Sequence, residues 1–371
     1  MWRRLREWWE SVAIVWLNAC VLLLALNAGV ALLQRIAVPD MLRPMRETIA
    51  LAHPNLDAQS IDALVAESER HLVYEPYTDM TDGPVRGRFV NVDPAGFRYS
   101  TDQGPWPPDP RSYNVFVFGG STTFGYGVGD GDTIASYLQP LVRATDGRPA
   151  RVYNFGHSGY YSTQERILFT RLVVAGHVPD VAIFVDGLND SGAVDDVPMT
   201  MTRLAAGYRL FDDSALRTAL NALPLATTAR HLSRRLGIAP PELAPPSSTE
   251  TARPDDPAVV RTTVDRYRRS MKAIAGVGSA NGFRTLFVWQ PVPSYGFPPG
   301  DAGKWWTGGA IAFARHTYPV VKAMADAGEL GRDFRWCADL AADGTEVFYV
   351  DRVHYAPVLA ERVARCIAPG L

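Results

Sequence analysis

The chain has 371 residues, 47% of them hydrophobic, so it is long enough to bury a substantial core and lacks the composition of a disordered protein. Its 37 basic and 39 acidic residues give a formal net charge of -2. A charge so evenly balanced creates no overall field that would attract nucleic acid or an anionic membrane surface. We therefore expect no nucleic-acid partner.

The first predicted element is an apolar helix near the N-terminus. Residues 11–34 (SVAIVWLNACVLLLALNAGVALLQ) contain no charged side chain. The run exceeds the roughly 20 residues of a membrane span and the ~15 apolar residues of a signal peptide, and it lacks a clear small-residue cleavage site. It also continues well past Cys20, which we interpret as a packing or membrane-facing residue. We predict an uncleaved transmembrane anchor; a buried core helix and a cleaved signal sequence are the alternatives.

The flanks of this span bear on its orientation. Arginines stand on both sides of it: Arg3, Arg4 and Arg6 before, and Arg35, Arg43 and Arg46 after. A short amino-terminal tail that stays in the cytoplasm is the simpler insertion, so we predict that the rest of the chain is extracytoplasmic, either periplasmic or extracellular. Cys337 and Cys366 would then lie in an oxidising compartment, where a disulfide and two free buried thiols are both open.

Composition divides the chain into parts. We predict a tail and anchor over 1–34, a membrane-proximal stalk over 35–110 and a folded domain over 111–371. The stalk contains a predicted helix at Asp57–Leu72 and then a proline- and glycine-rich stretch. Inside the domain, 191–256 is interpreted as an insertion, because it ends in a Pro-, Ser- and Thr-rich stretch typical of an irregular loop. The insertion either caps a site or connects elements without a role of its own.

Short apolar runs within the domain predict its strands. These are NVFVFG, RVYNFG, DVAIFVDG, TLFVWQP and EVFYVD. Continuous rather than alternating apolar runs suit parallel strands that are covered on both faces. Helical patterns separate them, so the order of elements predicts a doubly wound α/β sandwich built on a parallel sheet.

Two of the intervening helices carry end signals. Ser162 and Glu165 have the spacing of a capping box, with Gly176 at the C-terminal cap. Asp256 and Pro257 begin a second helix. Its apolar stripe has helical spacing and consists of Val260, Val264, Tyr267, Met271 and Ile274.

The run NVFVF ends in Gly119, Gly120 and Ser121. Ligands of parallel α/β sheets bind beyond the carboxyl ends of the strands, and paired glycines allow a tight turn there. The same composition is also that of an ordinary turn. Ser121 is therefore a candidate nucleophile only if a base and an orienting acid lie within reach of it.

One histidine has the required neighbour. Of the seven histidines, only His354 follows an aspartate by three residues at the end of a predicted strand, in YVDRVHYAP. This spacing places Asp351 on the same side of one turn, so that the carboxylate accepts from Nδ1 and Nε2 faces the serine. His157, His177 and His316 lack a carboxylate at that spacing. A helix-capping or core histidine is the alternative for His354.

Attack on a carbonyl creates an oxyanion, and each preorganised donor to it stabilises the transition state by about 3 to 4 kcal/mol. Asn189, in FVDGLNDSG, offers a side-chain amide, and Gly159, in NFGHSGYYSTQE, offers a backbone N–H. Asn-Asp and Ser-Gly pairs are also common turn formers. The candidates gain weight because four such segments follow successive predicted strands in a consistent order.

Those segments, GGSTTFG, NFGHSGYYS, GLND and DRVH, resemble the four blocks of the SGNH hydrolases, also called the GDSL family, over roughly Asn114 to the C-terminus. The resemblance implies that Ser121 is the nucleophile and also donates its backbone N–H to the oxyanion. It implies that His354 is the base and that Asp351 orients it. It also implies a flavodoxin-like, three-layer α/β/α sandwich as the fold.

The same resemblance implies that Gly159 and Asn189 complete the oxyanion hole. Gly156 competes with Gly159, whose spacing to the following helix fits better. The first block reads Gly-Gly-Ser-Thr rather than the Gly-Asp-Ser of the family's name. Since the missing aspartate is not the acid of the triad, this departure bears on the substrate subgroup more than on catalysis.

The sequence thus predicts a membrane-anchored serine esterase that acts on a small-molecule or carbohydrate ester through an acyl-enzyme, with no cofactor and no metal. O-acetyl groups of envelope polysaccharide are one candidate substrate, with Trp305 and Trp306 either stacking on sugars or packing beneath the insertion. Lysophospholipid or another short acyl ester is a competitor. An O-acyltransferase acting on a glycan and a non-catalytic scaffold of an envelope assembly are the rival functions.

Overall fold

A computed structural model of the chain describes residues 1–37, 43–69, 72–196, 223–235, 252–296, 310–341 and 346–371. Two compact units are distinguished: Met1–Met41 with Thr202–Pro245, and Leu42–Met201 with Pro246–Leu371. Most of the predicted loop within 191–256, together with Trp305 and Trp306, lies outside the described residues. The predicted domain boundaries stay predictions.

The described strands are β1 (Leu72–Glu75), β2 (Asp79–Asp82), β3 (Val85–Arg86), β4 (Asn91–Val92), β5 (Tyr113–Gly119), β6 (Ala150–Gly156), β7 (Val181–Asp186), β8 (Arg284–Trp289) and β9 (Phe334–Trp336). The described helices are α1 (Trp2–Ala37), α2 (Arg43–Ala52), α3 (Ala58–Ser68), α4 (Ser121–Phe124), α5 (Ile134–Leu138), α6 (Ser162–Val174), α7 (Leu188–Gly192), α8 (Pro224–Arg235), α9 (Pro257–Asn281), α10 (Ala310–Asp326) and α11 (Pro357–Ile367).

The first unit is built on α1. By length and composition, Trp2–Leu32 is able to cross a membrane, and a signal sequence would meet the same criteria. One polar side chain in this apolar helix, Asn27, is buried against α8. Its Oδ1 accepts a hydrogen bond of 3.0 Å from the N–H of Leu225, and its Nδ2 donates to the carbonyl of Leu23 at 2.8 Å. The asparagine thereby satisfies a backbone donor in the first turn of α8 that has no partner within its own helix.

The second unit is organised by a five-stranded sheet in the order β6-β5-β7-β8-β9, with every pair parallel. Counted along the chain from β5, this is the order 2-1-3-4-5 of flavodoxin-like folds. It confirms the predicted architecture. The chain passes from β5 to β6 on one side of it and then to β7 on the other side. The carboxyl ends of β5 and β7 therefore flank the switch point, where such folds bind ligands.

The residues of the strands explain why both faces of the sheet are covered. One face is aromatic and packs beneath α6, α9 and α10; it includes Phe116, Phe118, Tyr153, Phe155, Phe184 and Phe287. The opposite face is aliphatic and packs beneath α5 and α11; it includes Val115, Val117, Val152, Ile183 and Val288. Successive side chains of a strand point to opposite faces. In a continuous apolar run such as VFVF, the phenylalanines therefore pack into one core and the valines into the other. Helices cover both cores, which gives the three layers.

The segment that precedes β5 builds a third apolar core. Helices α2 and α3 contribute residues such as Ile49 and Leu64, which pack with Phe124 of α4 and with Val350 and Ala356 beside the last loop. Asp57 caps α3 by accepting from the N–H of Ser60, close to the start predicted for this helix. The segment over 43–110 is thus folded onto the same unit as the sheet.

The last predicted strand is wrong. EVFYVD, at residues 346–351, forms no strand, although Phe348, Tyr349 and Val350 are buried and Tyr349 makes one isolated bridge to Tyr355. The sheet edge is occupied instead by β9, which pairs with β8 over three residues. β9 has only three residues, all partly exposed, and so short a segment shows no pattern from which a strand could be predicted. EVFYVD has the apolar composition of a strand because its residues are buried, not because they pair with a neighbouring strand.

The predicted capping box at Ser162 and Glu165 is also wrong. Ser162 is the first helical residue of α6, and its hydroxyl donates to Asp190 at 2.6 Å. The box is formed one residue earlier, where the N–H of Tyr161 donates to Gln164 Oε1 at 3.4 Å. Glu165 is fully buried, and its role is described below. The predicted helix after Asp256 is confirmed, and its apolar stripe lies in the core.

Cys337 and Cys366 form a disulfide, with their Cα atoms 6.2 Å apart. This resolves the alternative that the sequence left open. The bond ties the end of β9 to α11, the helix that follows the His354 loop. Cys20, in α1, is exposed and free.

We predict that Cys337→Ser destabilises the second unit by roughly 3 to 4 kcal/mol, because the bond closes a loop of 29 positions and restricts the unfolded chain. The measurement is urea unfolding of the full chain in mild detergent. Cys20→Ser is the matched control and should leave the midpoint unchanged. A wild-type midpoint that does not fall on adding reductant would contradict the prediction.

Candidate active site

The turn after β5 places a serine at the carboxyl edge of the sheet. Gly120 is the N-cap of α4, and its carbonyl accepts from the N–H of Phe124 at 3.0 Å. Ser121 is the first residue of this helix, so its own N–H has no intrahelical acceptor. That N–H donates to none of the described residues. The serine therefore presents both a hydroxyl and a backbone donor at the switch point.

The hydroxyl meets an imidazole from the far end of the chain. Ser121 Oγ lies 2.8 Å from His354 Nε2, and His354 Nδ1 lies 2.7 Å from Asp351 Oδ2. Ser121 and His354 are both buried, at 7% and 5% exposed. The structure thus brings together the three side chains that the sequence predicted to act as nucleophile, base and orienting acid.

Asp351 is held in a form that orients the imidazole. Its second oxygen, Oδ1, accepts from the N–H groups of Val353 and His354 at 2.9 and 2.8 Å. Burial acts to raise the pKa of Asp351, but the neighbouring His354 and these hydrogen bonds outweigh burial and lower its pKa to about 2. An ionised carboxylate accepts a hydrogen bond from Nδ1–H and so keeps the proton on Nδ1, which leaves Nε2 as the atom that accepts from the serine.

A buried arginine that sequence analysis missed shapes the turn after the serine. Arg98 is fully buried and forms an ion pair of 3.0 Å with Asp130. Its other nitrogens donate to the carbonyls of Phe124, Gly125 and Val128. This guanidinium satisfies the end of α4, where carbonyls have no helical donor. Nothing local in GFRYS distinguishes Arg98 from a surface arginine.

The imidazole packs against an aromatic ring of the same turn. The ring centres of Tyr126 and His354 are 4.6 Å apart, with an angle of 41° between their planes. The N–H of Tyr126 donates to the carbonyl of Ser121 at 3.1 Å. One short turn therefore carries the serine and also covers one face of the histidine.

Asn189 stands at the end of β7, in the short helix α7. Its Nδ2 donates to the carbonyl of Tyr160 at 2.7 Å. An amide nitrogen carries two hydrogens, so this bond fixes the side chain and leaves a second N–H for a ligand. The contact also joins α7 to the loop after β6, which contains Gly159, with Gly156 at the end of the strand before it.

The two glycines that competed in the sequence differ in their hydrogen bonds. The N–H of Gly156 is used, because it donates to Asn154 Oδ1 at 3.0 Å. The N–H of Gly159 donates to no described residue. Gly159 also has a φ of +79°, a conformation that favours glycine. Only Gly159 thus offers a free backbone donor, which agrees with the choice made from its spacing.

His157 has a carboxylate partner that its sequence spacing did not reveal. Asp82 Oδ2, at the end of β2, lies 3.5 Å from His157 Nδ1, and both side chains are buried. This pair joins the loop that contains Gly159 to the end of β2. His354 is the histidine in contact with Ser121.

A buried acidic cluster lies beneath Asn189. Burial, together with neighbouring carboxylates, raises the pKa of Glu165 and of Asp186 well above the usual range. Asp190 is paired instead with Arg266 at 2.8 Å. The carboxyl oxygens of Glu165 and Asp186 make no hydrogen bond to any described residue, and a buried carboxylate without a partner is costly. We therefore assign one proton to the pair of Glu165 and Asp186 at neutral pH.

Arg266 connects three elements around this cluster. From α9 it donates to Ser162 Oγ at the start of α6, and to Asp190 and the carbonyl of Ala193 at and after α7. Arg266 is 3% exposed, so these partners must compensate the cost of burying its positive charge. The helix that carries Asn189 is thereby fixed from its buried side.

Among the described residues, no group of three or more His, Cys, Asp or Glu side chains has the arrangement of a metal site.

Comparison with known proteins identifies the family. The model of the GDSL-like lipase/acylhydrolase family matches residues 117–302, which is half of the chain. The matched part begins inside β5 and contains Ser121, Gly159 and Asn189. The chain belongs to this family, and it is a serine hydrolase of the SGNH/GDSL type that acts on ester bonds. The resemblance stated from the sequence is confirmed.

No curated protein matches the chain. Solved structures with a similar arrangement include a member of the lipolytic protein G-D-S-L family from Veillonella parvula DSM 2008, at 12% identity over 68% of this chain and 94% of that one, with a TM-score of 0.37. A catalytic mutant of an acetylxylan esterase from Geobacillus stearothermophilus has 14% identity over 70% and 94%, with a TM-score of 0.35.

We predict that the buried acid pair makes stability fall as pH rises. Because the pKa of Glu165 is raised, the folded state keeps a proton that the unfolded state releases above about pH 4.3. The contribution of this proton to the free energy of unfolding is complete below that pH. It is lost as pH rises toward the pKa of the folded state, with a slope of about 1.4 kcal/mol per pH unit for one proton. Glu165→Gln keeps the shape without the proton and should flatten the curve.

The measurement is urea unfolding of the full chain between pH 4 and 9. The exposed Glu329 supplies the control, since Glu329→Gln should keep the wild-type slope. Parallel curves for wild type and Glu165→Gln would show that no proton is held by this pair.

Proposed function

We propose that the chain is a membrane-anchored serine esterase that hydrolyses carboxylic esters through an acyl-enzyme. One observation carries the proposal: Ser121 Oγ, His354 and Asp351 are hydrogen-bonded in line, at 2.8 and 2.7 Å. A serine hydroxyl is a weak nucleophile until a base takes its proton, and the base needs an orienting group. Both requirements are met by buried side chains at the carboxyl edge of the sheet.

In the first half of the proposed reaction, Ser121 Oγ attacks the ester carbonyl while His354 Nε2 accepts the hydroxyl proton. The new C–O bond converts the carbonyl oxygen into an oxyanion. When the tetrahedral intermediate collapses, the bond to the alcohol oxygen breaks and His354 returns the proton to that oxygen. The alcohol leaves, and the acyl group stays on Ser121.

The oxyanion needs donors that are in place before the charge develops. Three groups support this role: the N–H of Ser121, the N–H of Gly159 and the second N–H of Asn189 Nδ2. The first two have no acceptor among the described residues, and the third is oriented by the bond to Tyr160. Each such donor contributes about 3 to 4 kcal/mol to stabilising the transition state.

In the second half, a water attacks the acyl carbon while His354 Nε2 takes a proton from it. Collapse breaks the bond to Ser121 Oγ, which recovers its proton from His354, and the acid is released. Asp351 remains ionised throughout, because its pKa is about 2, and it stabilises the imidazolium that forms twice in each cycle.

Two features support an exported, anchored enzyme. Helix α1 has the length and composition of a membrane span, and Cys337 and Cys366 form a disulfide, a bond that persists in oxidising compartments. An N-terminus in the cytoplasm would place the unit that carries the site on the extracytoplasmic side.

For the substrate, we propose O-acetyl groups of envelope carbohydrate. An anchored extracytoplasmic enzyme would meet such polymers at the cell surface. Exposed aromatic rings on the β1–β2 hairpin favour a sugar: Tyr77 is 63% exposed, and the guanidinium of Arg171 lies 4.9 Å from its ring centre. A ring held in this way is suited to stacking on a pyranose.

We predict that a fluorophosphonate probe labels Ser121 and that hydrolysis of p-nitrophenyl acetate depends on the same residue. Ser121→Ala should abolish labelling, and both Ser121→Ala and His354→Ala should lower kcat by roughly 10³-fold or more. Ser279 and His316 are exposed and supply the matched controls: Ser279→Ala and His316→Ala should behave as wild type. The labelled peptide is identified by mass spectrometry.

A folded wild-type chain that neither reacts with the probe nor hydrolyses the ester would refute the esterase proposal in favour of a scaffold. Acyl transfer is separated from hydrolysis by adding a glycan acceptor with a labelled acetyl donor. Label that appears in the glycan rather than in free acetate would identify a transferase.

A further inference from the structure

The loop that follows β6 is tied down by a neighbouring hairpin. We call the β1–β2 pair, Leu72–Asp82, the clamp hairpin, and residues 157–160 the oxyanion loop. Within this loop the N–H of Tyr160 donates to the carbonyl of His157 at 3.2 Å, and the N–H of His157 donates to the carbonyl of Gly119 at 3.0 Å. These bonds close a tight turn with Gly159 at its tip.

Asp82, the last residue of the clamp hairpin, makes the strongest of the contacts. Its Oδ2 accepts from the N–H of Ser158 at 2.6 Å, and its Oδ1 accepts from the Ser158 hydroxyl at 3.0 Å. Both residues are buried, at 5% and 7% exposed. A buried carboxylate that accepts two hydrogen bonds from one residue fixes that residue's backbone firmly. Ser158 is the residue directly before Gly159.

Two threonines of the clamp hairpin hold the residues on either side. Thr81 Oγ1 lies 3.1 Å from His157 Nδ1, and Thr78 Oγ1 accepts from the hydroxyl of Tyr160 at 2.6 Å. Every residue of the oxyanion loop except Gly159 is therefore bonded to the hairpin. Gly159 alone keeps a backbone N–H without an acceptor among the described residues.

The clamp hairpin is also linked, through the oxyanion loop, to Asn189, another proposed donor to the oxyanion. The carbonyl of Tyr160, whose side chain is bonded to Thr78, accepts from Asn189 Nδ2 at 2.7 Å. Moving Tyr160 would thus move the acceptor that orients the Asn189 amide. One hairpin from the segment before the sheet thus bonds to the residues on both sides of Gly159 and to the residue whose carbonyl binds Asn189.

We infer that Asp82 is a positioning residue of the oxyanion hole and that the clamp hairpin is a working part of the site. The inference rests on the proposed function, because it assigns the loop the task of binding an oxyanion. Asp82 contacts neither Ser121 nor His354; it acts through Ser158 and through the neighbouring His157. Its loss should weaken binding of the transition state more than binding of the ester.

The test compares two carboxylates that both accept backbone N–H groups. Asp82→Asn weakens the hold on Ser158. Glu67→Gln is the matched control, because Glu67 accepts from the N–H groups of residues 88–90 and makes no bond to the oxyanion loop. The full chain in detergent is assayed with p-nitrophenyl acetate, and hydrogen exchange of peptides covering 157–160 is followed by mass spectrometry.

We expect Asp82→Asn to lower kcat by about 10- to 100-fold with KM within about threefold of wild type, since a misplaced donor loses most of its effect on the transition state. Exchange in the oxyanion loop should become faster. Glu67→Gln should keep wild-type kcat and wild-type exchange at 157–160. Ser158→Ala, which removes only the hydroxyl contact, should give a smaller loss of kcat and serves if Asp82→Asn does not fold.

Equal kcat in Asp82→Asn and Glu67→Gln, with an active wild type, would overturn the inference while leaving the esterase proposal intact. A loss confined to KM would also overturn it. An inactive wild type would instead refute the proposed function, and the assigned role of Asp82 with it.

Discussion

The hydrogen bond between Ser121 and His354 joins side chains that are 233 positions apart, and it requires two distant segments to be fixed within a few tenths of an ångström. The sheet fixes one of them, because α4 follows directly from the buried strand β5. The other is fixed by packing, since Val350 and Ala356 on either side of the His354 loop are buried in the core that α2 and α3 share with Phe124. The helices before the sheet therefore hold the two ends of the contact together.

Buried charge is the second means by which the site is held. Arg98, Arg266 and Asp82 are each almost completely buried, and each is bonded to backbone groups as well as to a side chain of opposite charge or a hydroxyl. Burying a charge is costly, and removing one partner of such a set leaves the other charge uncompensated. These side chains therefore have few alternative arrangements. Donors that are fixed before the reaction need not reorganise when the oxyanion forms. This saving is how preorganisation accelerates a reaction.

What the sequence predicted follows from local pattern. The runs around Val117 and Ile183 have the composition of covered parallel strands, and the stripe from Val260 to Ile274 has helical spacing, so the sheet and α9 could be predicted. The partners of Asp82 and Arg98 could not, because the 76 positions between Asp82 and Ser158 leave no periodic trace. EVFYVD failed for the converse reason: burial in an irregular loop produces the same composition as a strand. The catalytic roles of the site residues stay predictions.

The departure of the first block from Gly-Asp-Ser has a physical explanation in the same loop. The position where the family name has aspartate is Gly120, and a Cβ there would lie 2.6 Å from Asn189 Nδ2 and 3.0 Å from the carbonyl of Tyr160. The bond between Tyr160 and Asn189 therefore occupies the space that an aspartate side chain would need. Since the clamp hairpin fixes Tyr160 from the opposite side, the glycine before the serine and the hairpin before the sheet are parts of one arrangement. An aspartate at position 120 would therefore require the Asn189 amide and the Tyr160 carbonyl to shift from the positions in which they bond to each other.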